Sequence, residues 1–235
     1  MLVRTFAALL LDFDGTIVDS EPRHCEAHRR FLATQGITAS DADLIGNIGK
    51  SDRLFYLELM ARHGKTGDVQ EWMAGKTDLL LGIYRAEGLA LRPGVRALLD
   101  HAFAEGVPVC VVTSTERRIA ALGLELIGLD RRLPSRVCYE DVTRRKPDPQ
   151  PYQLAAARLG VPPERCLVVE DSATGVAAAV AAGAVTMGFV GLTGAEQLTG
   201  AGASRCIHSL DELVPLHSLP GATATFKRIK RIKRV

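Results

Sequence analysis

Four short apolar runs constrain the fold of this chain more than any other feature. They are Ala7–Leu11, Val107–Val112, Cys166–Val169 and Ala184–Val190, with a weaker one around Val137. Short runs without polar alternation are what strands buried on both faces require. Between them lie stretches of helical character, Glu116–Ile127, Pro149–Leu159 and Ala173–Ala182. Their punctuation agrees. Asp148 is placed to cap the second, Pro149 suits its first position, and Gly160 and Gly183 follow the second and third. Strand, helix and strand repeated in this way predict a doubly wound α/β domain with a parallel sheet.

Residues 17–90 read differently. They are rich in helix formers, broken by glycines, and hold no strong strand run. This predicts a helical cap over 17–90, inserted into a core made of 1–16 and 91–220, with Pro93 and Gly94 in the returning linker. No apolar run approaches the ~18–20 residues that cross a bilayer. The run before Asp12 is too short for a secretory signal, so a cytoplasmic protein is expected. The five cysteines are scattered without a CxxC pair, which predicts free thiols, Cys110 and Cys166 among them as core residues. The net charge of +2 conceals a mildly acidic body, because Phe226–Val235 alone carries six Lys or Arg and no acid. The body therefore offers no argument for nucleic acid. The tail, 221–235, is expected to be disordered and solvated, with anionic lipid or RNA as its alternative partners.

What ends the runs is more telling than the runs. The first ends in Asp12-Phe13-Asp14-Gly15-Thr16, the second in Thr113-Ser114, and Cys166–Val169 in Glu170-Asp171. Ligands of open α/β sheets bind beyond the carboxyl ends of the strands, so these residues are expected to converge. Two unit charges ~4 Å apart repel by about 4 kcal/mol at an effective dielectric near 20, so four gathered carboxylates call for a cation. All-oxygen ligation with few protein groups suits Mg²⁺. Alternation along a strand puts Asp12 and Asp14 on one side. One carboxylate can attack phosphorus while the other moves the proton. Taken alone, the Asp-x-Asp-Gly segment is equally an acidic turn that caps a helix.

Lys146 precedes Pro147, which pushes it out of helical geometry and onto a stiff segment suited to a fixed cation facing phosphate. By position alone it reads as a solvated surface lysine. Two other motifs fail. A calcium loop needs DxDxDG, and Gly15 comes too early. Gly46–Ser51 imitates the end of a P-loop, but Leu44 stands where its first glycine belongs and no strand precedes it.

DFDGT, VVTS, RKPDP and VVEDSATG, in this order, resemble the four motifs of the haloacid dehalogenase superfamily over residues 6–215. The helical insertion is similar to the cap of its β-phosphoglucomutase-like branch. The resemblance implies Asp12 as nucleophile and Asp14 as general acid/base. It implies that Ser114 and the Thr115 amide bind the phosphoryl group, with Lys146 neutralising it. Asp171, helped by Glu170, would complete a Mg²⁺ site with the Asp12 carboxylate and the Asp14 carbonyl. An acidic residue at 14 implies phosphate esters rather than dehalogenation or phosphonate hydrolysis.

Cap residues His24, Lys50 and Lys76 stand where relatives reach the distal part of a sugar phosphate, although each also reads as a solvated helix-face residue. The implied activity is hydrolysis of a small phosphorylated metabolite, a sugar or sugar-acid phosphate. A phosphomutase is the alternative, which Thr16 disfavours, and a noncatalytic binding protein is the third reading. His28, His63 and His101 read as helix decoration, Trp72 and Phe31 as cap packing, and Phe13 as a core residue or a shield against water.

Overall fold

The computed structural model describes residues 6–46 and 51–216. Lys50 and the basic segment Phe226–Val235 lie outside the described residues.

The chain enters through β1 (Ala8–Leu11), turns into the short β2 (Val18–Asp19), and passes through α1 (Glu21–Thr34), α2 (Asp41–Ile45), α3 (Asp52–Arg62) and α4 (Val69–Glu87). It returns through β3 (Ala90–Leu91) to α5 (Val95–Ala104), β4 (Val109–Val112), α6 (Arg117–Leu126) and β5 (Arg136–Val137). Then follow α7 (Gln150–Arg158), β6 (Cys166–Glu170), α8 (Ala173–Ala181), β7 (Val185–Phe189), α9 (Ala195–Gly200) and β8 (Arg205–Ile207).

Six strands form one parallel sheet in the order β5-β4-β1-β6-β7-β8. Alternation divides their side chains between two cores. Leu9, Leu11, Val109, Val111, Leu167 and Val169 pack with Leu98 and Leu99 of α5. Ala8, Leu10, Cys110, Val112, Cys166 and Val168 pack with Tyr152 of α7 and Ala178 of α8. Both faces of β1 are therefore covered, which is why its whole run is apolar. All five cysteines are free, and Cys110 and Cys166 are core residues. Phe13 is fully buried against Gly123 of α6, so it is a packing residue and not a shield at the site.

Three details depart from the sequence reading. The cap of α7 is Pro149, and Asp148 sits one residue earlier, where its Oδ1 still accepts the Gln150 amide at 2.9 Å. The segment 17–90 is not free of strand, since β2 pairs antiparallel with β3. Finally, α5, α9 and β8 were not anticipated. The β2–β3 ribbon brings the outgoing and returning chain side by side. Arg92 fastens it, its amide donating to the Ile17 carbonyl and its Nε to the Gly15 carbonyl, both at 2.9 Å.

Among the described residues, the helices between β2 and β3 enclose a separate apolar cluster containing Phe31, Phe55, Tyr56, Leu59 and Trp72. Gly75 of α4 admits the Phe31 ring, which an added Cβ would approach to 2.5 Å. A second cluster, with Ala27, Leu80, Ile83 and Tyr84, includes Ile119 of α6 and so seats these helices on the sheet side.

Candidate active site

The sheet order reverses at β1, flanked by β4 and β6, and the described site lies beyond the carboxyl ends of these three strands. Asp12 follows β1 directly. Its amide donates to the Val169 carbonyl at 3.1 Å, so the ladder with β6 fixes where its carboxylate points. Phe13 turns into the core. The chain then doubles back, Gly15 at φ 75° donating its amide to the Val18 carbonyl at 2.8 Å. That turn presents Asp14 to the hydroxyls of Ser20 at 2.6 Å and Thr115 at 2.5 Å. Burial pushes the Asp14 carboxyl up, but the His24 contact, with the Ser20 and Thr115 hydroxyls, outweighs it and holds it at about 2.

Lys146, which precedes a cis bond to Pro147, is a buried pivot. Its ammonium donates to Asp12 Oδ1 at 2.6 Å, to the Val112 carbonyl at 3.0 Å, and to Glu170 Oε1. Burial lowers Lys146, but the charges and hydrogen bonds of the two carboxylates outweigh it and raise Lys146 above its ordinary range. Glu170 is fully buried, and its oxygens also accept from the Tyr152 hydroxyl at 2.6 Å and from the Ser172 amide and hydroxyl. Asp171 is next in chain. Burial and the Glu170 charge push both Asp12 and Asp171 well above the usual carboxylate range, against the pull of Lys146.

Oxygens of Asp12, Glu170 and Asp171 all lie within 4.8 Å of one another. The donor set is oxygen only, and its mutual repulsion is what a hard divalent cation relieves, so the residues fit Mg²⁺. Two glycines make room for these carboxylates. An added Cβ at Gly15 would come within 2.0 Å of Asp171 Oδ2, and one at Gly175 within 2.0 Å of the Glu170 carboxyl carbon.

Ser114 lines the cleft with its side chain exposed. The Thr115 amide is directed at Thr113 Oγ1, 3.0 Å away, and it is the Thr115 hydroxyl that reaches Asp14. That contact was not anticipated.

The opposite wall comes from the helices. His24 Nε2 lies 3.6 Å from Asp14 Oδ1 and 3.2 Å from the Tyr84 hydroxyl. Lys76 Nζ lies 3.0 Å from His24 Nδ1. An ammonium only donates, so Nδ1 accepts and the ring proton sits on Nε2, toward Asp14. Lys76 is 2% exposed and also pairs with Asp52 Oδ2 at 2.9 Å. Asp52 Oδ1 in turn lies 3.4 Å from His28 Nε2, whose Nδ1 meets the Tyr56 hydroxyl at 2.7 Å. His28 is thus a buried link of this chain and not a decoration of its helix. Burial outweighs the Asp52 contact and lowers it from its ordinary value, which favours the neutral ring. Asp52, Ser20, Tyr84 and Tyr152 are the site residues that sequence reasoning missed. Only Ser20, six residues from Asp14 and directly before a helix, carried a local signal.

Core and helices together enclose a cleft of about 880 Å³. A family model of haloacid dehalogenase-like hydrolases matches residues 6–183. The chain belongs to this family. The hydrolase is 38% identical over 197 residues to a CBBY-like protein of Arabidopsis thaliana, covering 75% of this chain and 61% of that one. It is 32% identical over 186 residues to hexitol phosphatase A of Escherichia coli, covering 74% and 78%. The crystal structure of a mutant CbbY from Rhodobacter sphaeroides in complex with xylulose-(1,5)bisphosphate superposes with a TM-score of 0.79 at 27% identity, over 89% of this hydrolase and 96% of that chain. The match thus spans less than two thirds of the Arabidopsis relative's length and nearly all of the Rhodobacter one. Among the described residues of the hydrolase, no helix is long and apolar enough to cross a membrane.

Proposed function

We propose that this hydrolase is a Mg²⁺-dependent phosphatase of small phosphorylated carbohydrates that works through a phospho-aspartate on Asp12. The observation that carries the reading is the Lys146 ammonium between Asp12 and Glu170, with Asp14 held two residues away by separate hydroxyls. Asp12 has an oxygen to attack phosphorus, and its high proton affinity marks it as a strong nucleophile once charge is supplied nearby. As the Asp12–phosphorus bond forms, the ester oxygen–phosphorus bond breaks and the leaving oxygen takes a proton from Asp14. An approaching phosphate raises the proton affinity of Asp14 for that step. The ionised form, favoured without ligand, is the base that then deprotonates the water attacking the acyl phosphate.

Ser114 and Lys146 face the phosphoryl oxygens, and His24 with the ring proton on Nε2 orients Asp14. Asp12, Asp171 and the Asp14 main chain would hold Mg²⁺, which when bound neutralises charge between the phosphoryl group and these carboxylates. Glu170 belongs to the same cluster, and we assign it to holding Lys146 and the Ser172 turn. Hydrolysis is favoured over phosphomutase chemistry because the relatives of matching length include proteins named phosphatases.

The test is phosphate release across a panel of sugar, polyol and sugar-acid phosphates, with isomerisation of β-glucose 1-phosphate followed alongside. Release is expected to stop with chelator and return with Mg²⁺. Isomerisation without net release would replace the hydrolase reading by the mutase. Activity indifferent to chelator would remove the cation. Gly15→Ala adds a structural check. Alanine at φ 75° is strained by about 1–2 kcal/mol, and its Cβ overlaps Asp171. Half-saturating Mg²⁺ is expected to rise about ten- to a hundredfold. An unchanged Mg²⁺ titration would mean that Asp171 is not a ligand.

A further inference from the structure

Lys76 is the cation best placed to meet the far end of a bound substrate, and it is already matched. It is 2% exposed, 2.9 Å from Asp52 Oδ2 and 3.0 Å from His24 Nδ1. Two other cations along the described wall of the cleft are engaged, one by a carboxylate and one by a ring. Arg62 pairs with Asp43 at 2.7 Å, and Arg145 lies over the Tyr139 ring at 3.7 Å. Carboxylates, by contrast, still face the cleft. The Asp52 side chain is 32% exposed, and Glu116, which accepts the Thr77 hydroxyl at 3.3 Å and pairs with Arg118 at 2.9 Å, also lines the cleft. A carboxylate in a partly dry cleft accepts hydrogen bonds from hydroxyls and repels a second anion. Lys50 lies outside the described residues, and Arg53, exposed at the rim, has no acidic partner among them.

Resting on the phosphatase reading above, we infer that Asp52 is a specificity-determining residue. By neutralising Lys76 and offering its own oxygens, it selects monophosphates whose far end is a neutral polyhydroxylated chain. Esters ending in a second phosphate or a carboxylate are disfavoured. The ligand named for the Rhodobacter relative's crystal structure, a bisphosphate, belongs to the disfavoured group.

The experiment compares kcat/KM for a six-carbon polyol 6-phosphate, the hexose 1,6-bisphosphate and the aldonic acid 6-phosphate, with p-nitrophenyl phosphate beside them. The wild-type protein is expected to favour the polyol ester at least about tenfold over both anionic-ended esters, a factor that one charge contact supplies. In Asp52→Asn the carboxylate charge is gone and Lys76 is unmatched, so this ratio should fall about tenfold. Asp52→Glu should restore much of it. A purely structural role would lower all three substrates together and leave the ratio alone, which would overturn the inference. So would a wild-type preference for either anionic-ended ester, and one abolished by Arg53→Ala would place the distal anion at the rim. Should Asp52→Asn fail to fold, the wild-type ratio decides alone. Turnover of p-nitrophenyl phosphate together with a reversed ratio sinks this inference and spares the phosphatase reading. No turnover of any ester sinks both.

Discussion

Asp12→Asn is expected to lower kcat by at least about ten-thousandfold, a loss on the scale of removing a covalent nucleophile. Covalent phosphate should be absent from the acid-quenched protein by mass spectrometry. The amide oxygen can keep the hydrogen bond from Lys146, 2.6 Å away in the wild-type protein, so the geometry has little reason to change. What the amide lacks is the charge and the lone-pair reactivity to form an acyl phosphate. The same substitution should not cost stability. Burial and the Glu170 charge hold the Asp12 carboxyl well above its usual range. A carboxyl raised in the folded state weakens folding wherever it is ionised, so the neutral amide relieves that burden. Metal-free Asp12→Asn should therefore melt no lower than the wild type. Full activity would refute the covalent route. A large drop in Tm would show that Asp12 is a structural ion-pair partner instead.

Lys146→Met is expected to do both kinds of damage. Its ammonium stands between two carboxylates that are nearly inaccessible to solvent, and one of them, Glu170, has no exposure at all. Removing one partner of a buried charge cluster costs about 3–5 kcal/mol, because the remaining charges keep their desolvation penalty. At this chain length that is a Tm loss of about 6–20 °C in chelator, measured by calorimetry. Asp12, already raised by burial and lowered only by this ammonium, would rise further, and the nucleophile would be mostly neutral. Turnover should fall about a thousandfold or more, and added Mg²⁺ should recover stability better than activity. Unchanged melting with unchanged turnover would mean that Lys146 holds nothing together.

These two residues also show how far the sequence could be read. The strands β1, β4, β6 and β7 were legible because both faces of a parallel sheet are buried, which leaves runs almost free of polar residues. Strand β8 was not, since Arg205 is exposed and three residues at a sheet edge make no pattern. Asp12, Asp14, Glu170 and Asp171 could be gathered because each follows the carboxyl end of a strand. Lys146 has no such landmark, and only the tertiary fold brings it 134 residues across the sequence to Asp12. The pairing of Asp52 with Lys76, and of His28 with Tyr56, joins different helices at no local spacing. Tyr152 reads as one more core aromatic on its helix, and only the position of Glu170 gives its hydroxyl a use.

The ribbon of β2 and β3 ties the helical part of the chain to the sheet, and Arg92 fastens it to the Gly15 carbonyl, next to Asp14. Any swing of the helices that widened the mouth of the cleft would strain this strap and drag on the loop that aims the proton carrier. Admission of ligand and readiness for chemistry would then be mechanically exclusive. Stray water meeting a gaping cleft would find the acid–base group out of alignment.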